Sequence, residues 1–401
     1  MGVLIMKKSG IAALVVLGIA VVGMGAWWMT DQHTYSSIVD TAKDVKKWEA
    51  DPRPLQSDAA AKKQVAQIKQ SSKAASSLVE AHKMVVIPGL RGAWSINYKT
   101  KKVAFGNDWV PQGVTQSKTH YYISMYDGRH KLNSIITQID RKTGKYLKTL
   151  ILNSKAHVGG ITYDQKRQRL MWSDDTGKGA GAGFAYVDKP VIDAYQASES
   201  KQPIASKRIP WELGTRTSAI TLYDNQLIVV KYGQKASQHS IVAVPLDKSG
   251  LPKPVTVEQM LTLIQKVPQA QLREDPLNAA LKAMIDKKMI NSYAPGYPRL
   301  QGVAVTPNGL TLLSQSNGEK PGKILLRIPE GGNWSNLKFT KPEAGATVIN
   351  VPNSVEEVGM STDASQIAMV FESGARQYRE TGSMFHRPKY MDRLLILSVE
   401  S

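Results

Sequence analysis

The 401-residue chain reads as an all-β protein, a five-bladed β-propeller. Three observations predict this. One cadence of small residue, β-rich run, turn and second β-rich run returns five times; a third β-rich run follows each return; and the last unit lacks an outer strand that a spare strand ahead of the first unit could supply.

The cadence begins with "VPQGVTQSKTHYYISMYD", Val110 to Asp127. It returns as "HVGGITYDQKRQRLMWSD", "RTSAITLYDNQLIVVKYG", "RLQGVAVTPNGLTLLSQS" and "EEVGMSTDASQIAMVFES". In register, Gly113, Gly160, Ala219, Gly302 and Gly359 each precede an apolar strand of four or five residues. Turn signals follow at Asp164, Asp224, Thr306 to Gly309 and Asp363, with "SKTH" serving in the first unit. The third runs start at Ser134, Gly183, Ser240, Lys323 and Arg393. The longest gap holds a helical-looking stretch, Val255 to Ile290, which reads as an insertion before an innermost strand. Because the last unit stops at its third strand, "MVVIP" or "KKVAF" before Gln112 is expected to close the ring. Six blades are the alternative, should residues 85–110 form a blade of their own.

The N-terminus sets the expected compartment. Residues 1–10 carry Lys7 and Lys8, and "IAALVVLGIAVVGMGAWWM", Ile11 to Met29, has no charge and ends in Trp27 and Trp28. Such a run is long enough to cross a bilayer, the lysines favour the cytoplasmic side, and the tryptophans suit the far interface. A signal anchor or transmembrane helix at 11–29 is expected, with the rest outside the cell; secretion after signal cleavage near Gly23, Gly25 and Ala26 is the alternative. Met6 offers a second possible start. Residues 30–84, rich in Ala, Lys, Gln, Ser and Glu, read as a helical stalk interrupted by "DPRP" at Asp51 to Pro54, leaving 85–401 for the propeller.

With 42% apolar residues a real core is expected. The absence of cysteine excludes disulfides, thiolate metal sites and a Cys nucleophile. The net charge of +19 favours anionic partners. Zinc-finger spacing and aromatic RNA-binding signatures are both missing, so no specific nucleic-acid partner is expected. A G-x-S-x-G elbow is also missing, and "GKGAGAG" lacks the strand-to-helix context of a phosphate loop. No cofactor and no metal are implied.

At this point the chain resembles extracytoplasmic propellers of the NHL, SMP-30 and YVTN type, and secreted propeller proteins of Gram-positive bacteria. "PQGVT", "YDGRHKLNS", "DRKTGKYLKTL" and "HVGGITYD" carry the likeness, which spans roughly residues 105 to 400. It implies architecture more than chemistry, because propellers host binding and catalysis alike.

In such a fold the innermost strands line a central channel, and the loops entering them share a face with the loops between second and third strands. The entry positions are Gln112, His157, Arg216 with Ser218, Arg299 with Gln301, and Glu356. The second-to-third loops add Tyr126 with Asp127, Asp174 with Asp175, Tyr232, Gln315 and Glu372. Three long insertions, Thr176 to Gly183, Val255 to Ile290 and Gly374 to Met391, are expected as lids on that same face. The arginines, glutamines and His157 favour an anionic or sugar-like ligand, such as a cell-wall polymer, a carbohydrate or a protein partner. Structurally, the same polar residues could simply cap loops and hydrate the channel. The SMP-30 likeness implies an alternative, a metal-dependent hydrolase or lactonase. Only Glu356 among the entry positions is acidic, with Glu357 beside it on the other parity, and Arg216 and Arg299 would oppose a cation.

Overall fold

In the computed structural model the described residues are Val22, Gly23, Ala26, 38–80, 82–175, 182–213, 216–232, 239–294, 296, 298–328, 345–361, 363–381 and 387–398. Apart from Val22, Gly23 and Ala26, the apolar segment 11–29 lies outside them, as do most of the lid at 176–183 and residues 382–386 of the third insertion. Among the described residues no helix is long and apolar enough to cross a membrane.

Five four-stranded antiparallel sheets follow one another along the chain. From inner to outer strand, blade one is Trp109–Gln116, His120–Asp127, Ile135–Asp140 and Tyr146–Ile151. Blade two is Ile161–Asp164, Arg169–Ser173, Gly183–Asp188 and Lys207–Pro210; blade three is Arg216–Tyr223, Gln226–Tyr232, Ser240–Pro245 and Ser292–Ala294. Blade four is Leu300–Val305, Thr311–Gln315, Pro321–Arg327 and Thr347–Asn353. Blade five takes Val355–Met360, Gln366–Phe371 and Arg393–Ser398 from the end of the chain, and its outer strand, Lys83–Val86, from the beginning. Met84 pairs with Leu395 and Val85 with Leu394, so "MVVIP" closes the ring. "KKVAF" goes instead into a two-stranded hairpin, Ala93–Ile96 with Val103–Gly106, so residues 85–110 make no sixth blade.

Runs such as Leu227 to Val230 are apolar without alternation because each blade is covered on both faces. Successive side chains go to opposite neighbours. Ile220, Val229 and Val242 of blade three pack with Met171 and Phe184 of blade two, whereas Ala219, Ile228 and Ile241 pack with Val303, Leu313 and Leu325 of blade four. Each inner strand is hydrogen-bonded on one side only, so its free edge, rather than a row of side chains, faces the axis. The parity rule drawn from the sequence therefore sorts side chains between neighbouring blades. What reaches the axis is set by irregularities in pairing, at Pro111/Gly113, Thr217/Ala219, Leu300/Gly302 and Val355/Val358, which leave Gln112, Ser218, Gln301 and the Glu356–Glu357 pair out of the ladder.

Two expectations are corrected. The helices Val257–Ile264, Gln269–Glu274 and Pro276–Asp286 lie between the third and outer strands of blade three, not ahead of an inner strand. In an antiparallel sheet that connection shares an end with the inner-to-second turns, so this insertion leaves from the end opposite the other two. Met260, Leu263, Leu281 and Met284 bury it against Trp211 and Phe184. Nor does 38–80 stand clear as a stalk. Helices Asp58–Ala66 and Lys73–Glu80 bury Ala61, Val65, Ala75 and Val79 against Ile349, Val351, Leu395 and Leu397. Alanines give these helices close approach to the sheet, and a polar frame locks the segment: Asp392 accepts from Leu55 N–H (2.6 Å), and Gln70 exchanges two hydrogen bonds with the Asn350 backbone (2.9 and 3.0 Å).

Candidate functional site at the channel mouth

The centre of the ring is filled by Glu357, 1% exposed. Its carboxylate accepts from Ile161 N–H of blade two (3.2 and 3.0 Å) and Ile220 N–H of blade three (3.2 Å), and Val114 N–H of blade one also bonds to it. Free inner-strand edges would otherwise present these donors to an apolar interior, so one side chain of blade five satisfies three other blades. Burial raises the Glu357 carboxyl well above the ordinary range, and the three N–H bonds oppose that rise. At two of the register positions the small residue makes room for the same side chain. A Cβ on Gly113 would sit 2.7 Å from Glu357 Oε2 and 2.6 Å from Gly159 O, and one on Gly302 would sit 2.7 Å from Glu357 Cα.

On the lid side of this plug the adjacent Glu356, 5% exposed, meets Glu372 carboxyl to carboxyl. Two buried carboxylates repel, so the contact is favourable when they share a proton. Burial first, then the charge of Glu372, raises Glu356 well above the ordinary range; burial likewise raises Glu372. Glu372 accepts from Tyr378 O–H (2.9 Å) and Gln112 Nε2 (3.4 Å), while Glu356 Oε1 is buried with no partner among the described residues. Beside the pair the Tyr126 ring stacks on His157 at 4.1 Å between centroids, with His130 at 5.3 Å from both. Burial pushes Tyr126 up to about 12; burial, Arg216 and His130 push His157 down to about 4, so the imidazole is neutral near pH 7.

A short lid from the third insertion covers this half of the mouth. Helix Arg376–Arg379 is tied down by Gln377 N–H to Asp108 Oδ1 (3.0 Å) and Arg376 to Asn107 Oδ1 (3.1 Å), and Ala375 and Tyr378 pack on Val110 and Tyr126. The other half, in blades three and four, carries no lid among the described residues. Arg216 and Arg299 are exposed, and Tyr232, Gln301 and Gln315 are half-buried. Arg299 donates to Asn317 Oδ1 (2.9 Å), and Gln315 to Pro298 O (3.0 Å).

Of the residues singled out in the sequence, the buried Gln112, Tyr126 and Glu356 and the half-buried His157 and Glu372 thus form one cluster, with Arg216 at its edge. Two others are occupied by the fold. Asp127 accepts from the N–H groups of Arg129, Lys131 and Leu132 and caps its own loop; Asp174 accepts from Ser154 Oγ and from Arg208 Nε (3.1 Å). His130, Tyr378 and the axial role of Glu357 were not anticipated. The doubled glutamate inside the apolar run "VEEVGM" was the visible signal for Glu357. Among the described residues no group of three or more His, Asp or Glu is arranged to hold a metal ion, so the donor set for a metal-dependent hydrolase is missing there.

Fold and mouth together define a five-bladed β-propeller whose channel is plugged by a glutamate. Neither a family model nor a curated relative matches the chain. Solved structures similar to it include the PQQ-bound aldose sugar dehydrogenase of Streptomyces coelicolor, 12% identical over 80% of this chain and 98% of that one, with a TM-score of 0.41. A gluconolactonase of Xanthomonas campestris is 11% identical over 79% and 97%, with a TM-score of 0.37. The RRP9 WD40 repeats are 9% identical over 79% and 100%, with a TM-score of 0.36. At these distances no chemistry carries over, and the fold assignment rests on the sheet topology above.

Proposed function

We propose that the chain is a membrane-anchored, extracytoplasmic propeller that binds an anionic or sugar-like cell-wall component at its lid-covered mouth. The observation carrying this reading is the buried Glu356–Glu372 pair with an unpartnered carboxyl oxygen. Lidded by Tyr378, it borders the half of the mouth that presents the exposed Arg216 and Arg299. The arginines suit a phosphate or carboxylate, Gln112, Gln301 and Gln315 suit hydroxyls, and the Tyr126–His157 stack offers a flat apolar wall. The uncharged run 11–29 behind Lys7 and Lys8, and the likeness to secreted Gram-positive propellers, support the anchored, external placement. The case for this mouth rests on the carboxyl pair, since the helical insertion leaves from the other end.

A calorimetric titration of the full chain in detergent with a phosphate-bearing polyol polymer tests it. Binding that falls about tenfold or more in Arg216→Ala and in Glu356→Gln supports the reading; absence of binding, or binding indifferent to both changes, sinks it. The carboxyl pair also favours a second reading, a hydrolase or lactonase in which Glu356 is the general acid, because burial and the facing Glu372 raise its carboxyl and so favour the protonated, proton-donating form. Turnover of a lactone or ester that is abolished in Glu356→Gln would favour this reading over binding alone.

A further inference from the structure

A cavity of about 590 Å³ opens at the opposite end of the channel, where the inner strands finish. Its walls come from the same strand positions in successive blades. Thr115, Thr162 and Thr221 each stand two residues after the register residue of blades one, two and three, and Ser361 holds that place in blade five. The inner end is sealed by the Glu357 plug, which bonds the N–H groups of two lining residues, Ile161 and Ile220. The space is therefore a blind pocket, of the size that small-molecule sites have.

Its chemistry is selective. The hydroxyls of Thr115, Thr162 and Thr221 have no hydrogen-bond partner among the described residues, yet none is a sealed buried atom, so they are left for whatever occupies the cavity. Part of the rim is held in place from behind: Gln116 donates to Gly359 O (3.0 Å), and Gln165 donates to Gln116 O (3.3 Å), which joins blades one, two and five. Although 52 of the 401 residues are Lys or Arg, none is among the described residues that line the cavity, while Asp224 stands on its wall. Such a site repels anions and offers hydroxyl and amide partners beside the apolar surfaces of Ile161, Ile220 and Val358.

We propose that this pocket is a second binding site, separate from the lid-covered mouth, for a small neutral hydroxyl-rich ligand of the saccharide class. The test titrates the full chain in detergent with glucose, maltose, N-acetylglucosamine and glucose 6-phosphate, with hydrogen exchange measured alongside. Expected are binding of at least one neutral sugar, weaker binding of the phosphorylated one, and protection at the ends of the inner strands around 115–116, 162–165 and 221–224. The near-isosteric Thr162→Val/Thr221→Val double change lowers affinity about tenfold or more, and Glu356→Gln on the other side of the plug leaves it unchanged. The proposal is overturned if no neutral sugar binds, if glucose 6-phosphate is preferred, if exchange is slowed only at the lid-covered mouth, or if a melting-competent double variant binds like wild type. Because Glu356→Gln and the threonine changes act on different sides, failure here leaves the proposed function standing or falling by its own titration.

Discussion

Replacing Glu357 by alanine is the most revealing perturbation of the fold. The change removes the acceptor of Ile161, Ile220 and Val114 N–H in one step and leaves three donors, one from each of three blades, facing a void at the axis. A buried N–H deprived of its partner costs about 1–3 kcal/mol, so the loss is about 3–9 kcal/mol, toward the lower end where water enters the space. For a propeller of this length, at about 2.1 cal/mol/K per residue, each kcal/mol lowers the melting temperature by about 1.5 °C, giving a fall of about 5–14 °C. Glu357→Gln keeps one acceptor oxygen but turns an amide donor toward the other N–H groups, so its loss is intermediate. Urea unfolding followed by tryptophan fluorescence, with calorimetric melting, reads both. A Glu357→Ala protein that melts with wild type would refute the idea that this side chain ties the ring together.

Other consequences follow from the same contacts. Glu356 and Glu372 are acids whose folded pKa values are raised, so the folded state holds more protons than the unfolded state above the ordinary carboxylate range, and stability falls as pH rises from there toward the folded values. The slope is at most about 1.4 kcal/mol per pH unit for each proton, and Glu356→Gln should flatten it and raise stability at pH 8 in urea titrations. His157 is depressed to about 4, so its share of stability is present above pH 6.5 and is lost as pH falls from there toward 4; its NMR titration should be flat down to about pH 5. Gly302→Ala pushes a Cβ to 2.7 Å from Glu357 Cα and 2.8 Å from Val358 N, backbone atoms that cannot swing away, and should cost about 1–3 kcal/mol in the same unfolding assay.

Much of the ring was legible because its signals are local. Register residues and turn aspartates such as Asp224 each act within a few residues, and the structure uses them as read; of the two closing segments offered, "MVVIP" or "KKVAF", it takes the first. What was not legible depends on non-local geometry. Whether a side chain faces the axis is decided by pairing irregularities such as Val355/Val358, which alternation alone does not reveal, so Glu357 was assigned away from the channel that it fills. The outer strand of blade three is only Ser292–Ala294, too short to stand out after a helical run, and missing it moved the insertion to the wrong end. The helices at 58–66 and 73–80 look solvated because alanine carries little hydrophobic signal, although it is what lets them sit flat on blades four and five. Five candidate site residues meet because they are entry and second-to-third loop positions of blades one, two and five; Asp127 and Asp174 stand apart from that cluster, their oxygens engaged by nearby N–H, hydroxyl and guanidinium groups.

The reading that the lidded carboxyl pair serves a ligand is tested most directly by hydrogen exchange on the full chain with and without the phosphate-bearing polyol. The account predicts slowed exchange at Tyr126, at Thr217 next to Arg216, at Glu356 and along Arg376–Arg379, all lost in Glu356→Gln. Unchanged exchange at these amides at saturating ligand, or slowing confined to the far mouth, would contradict it.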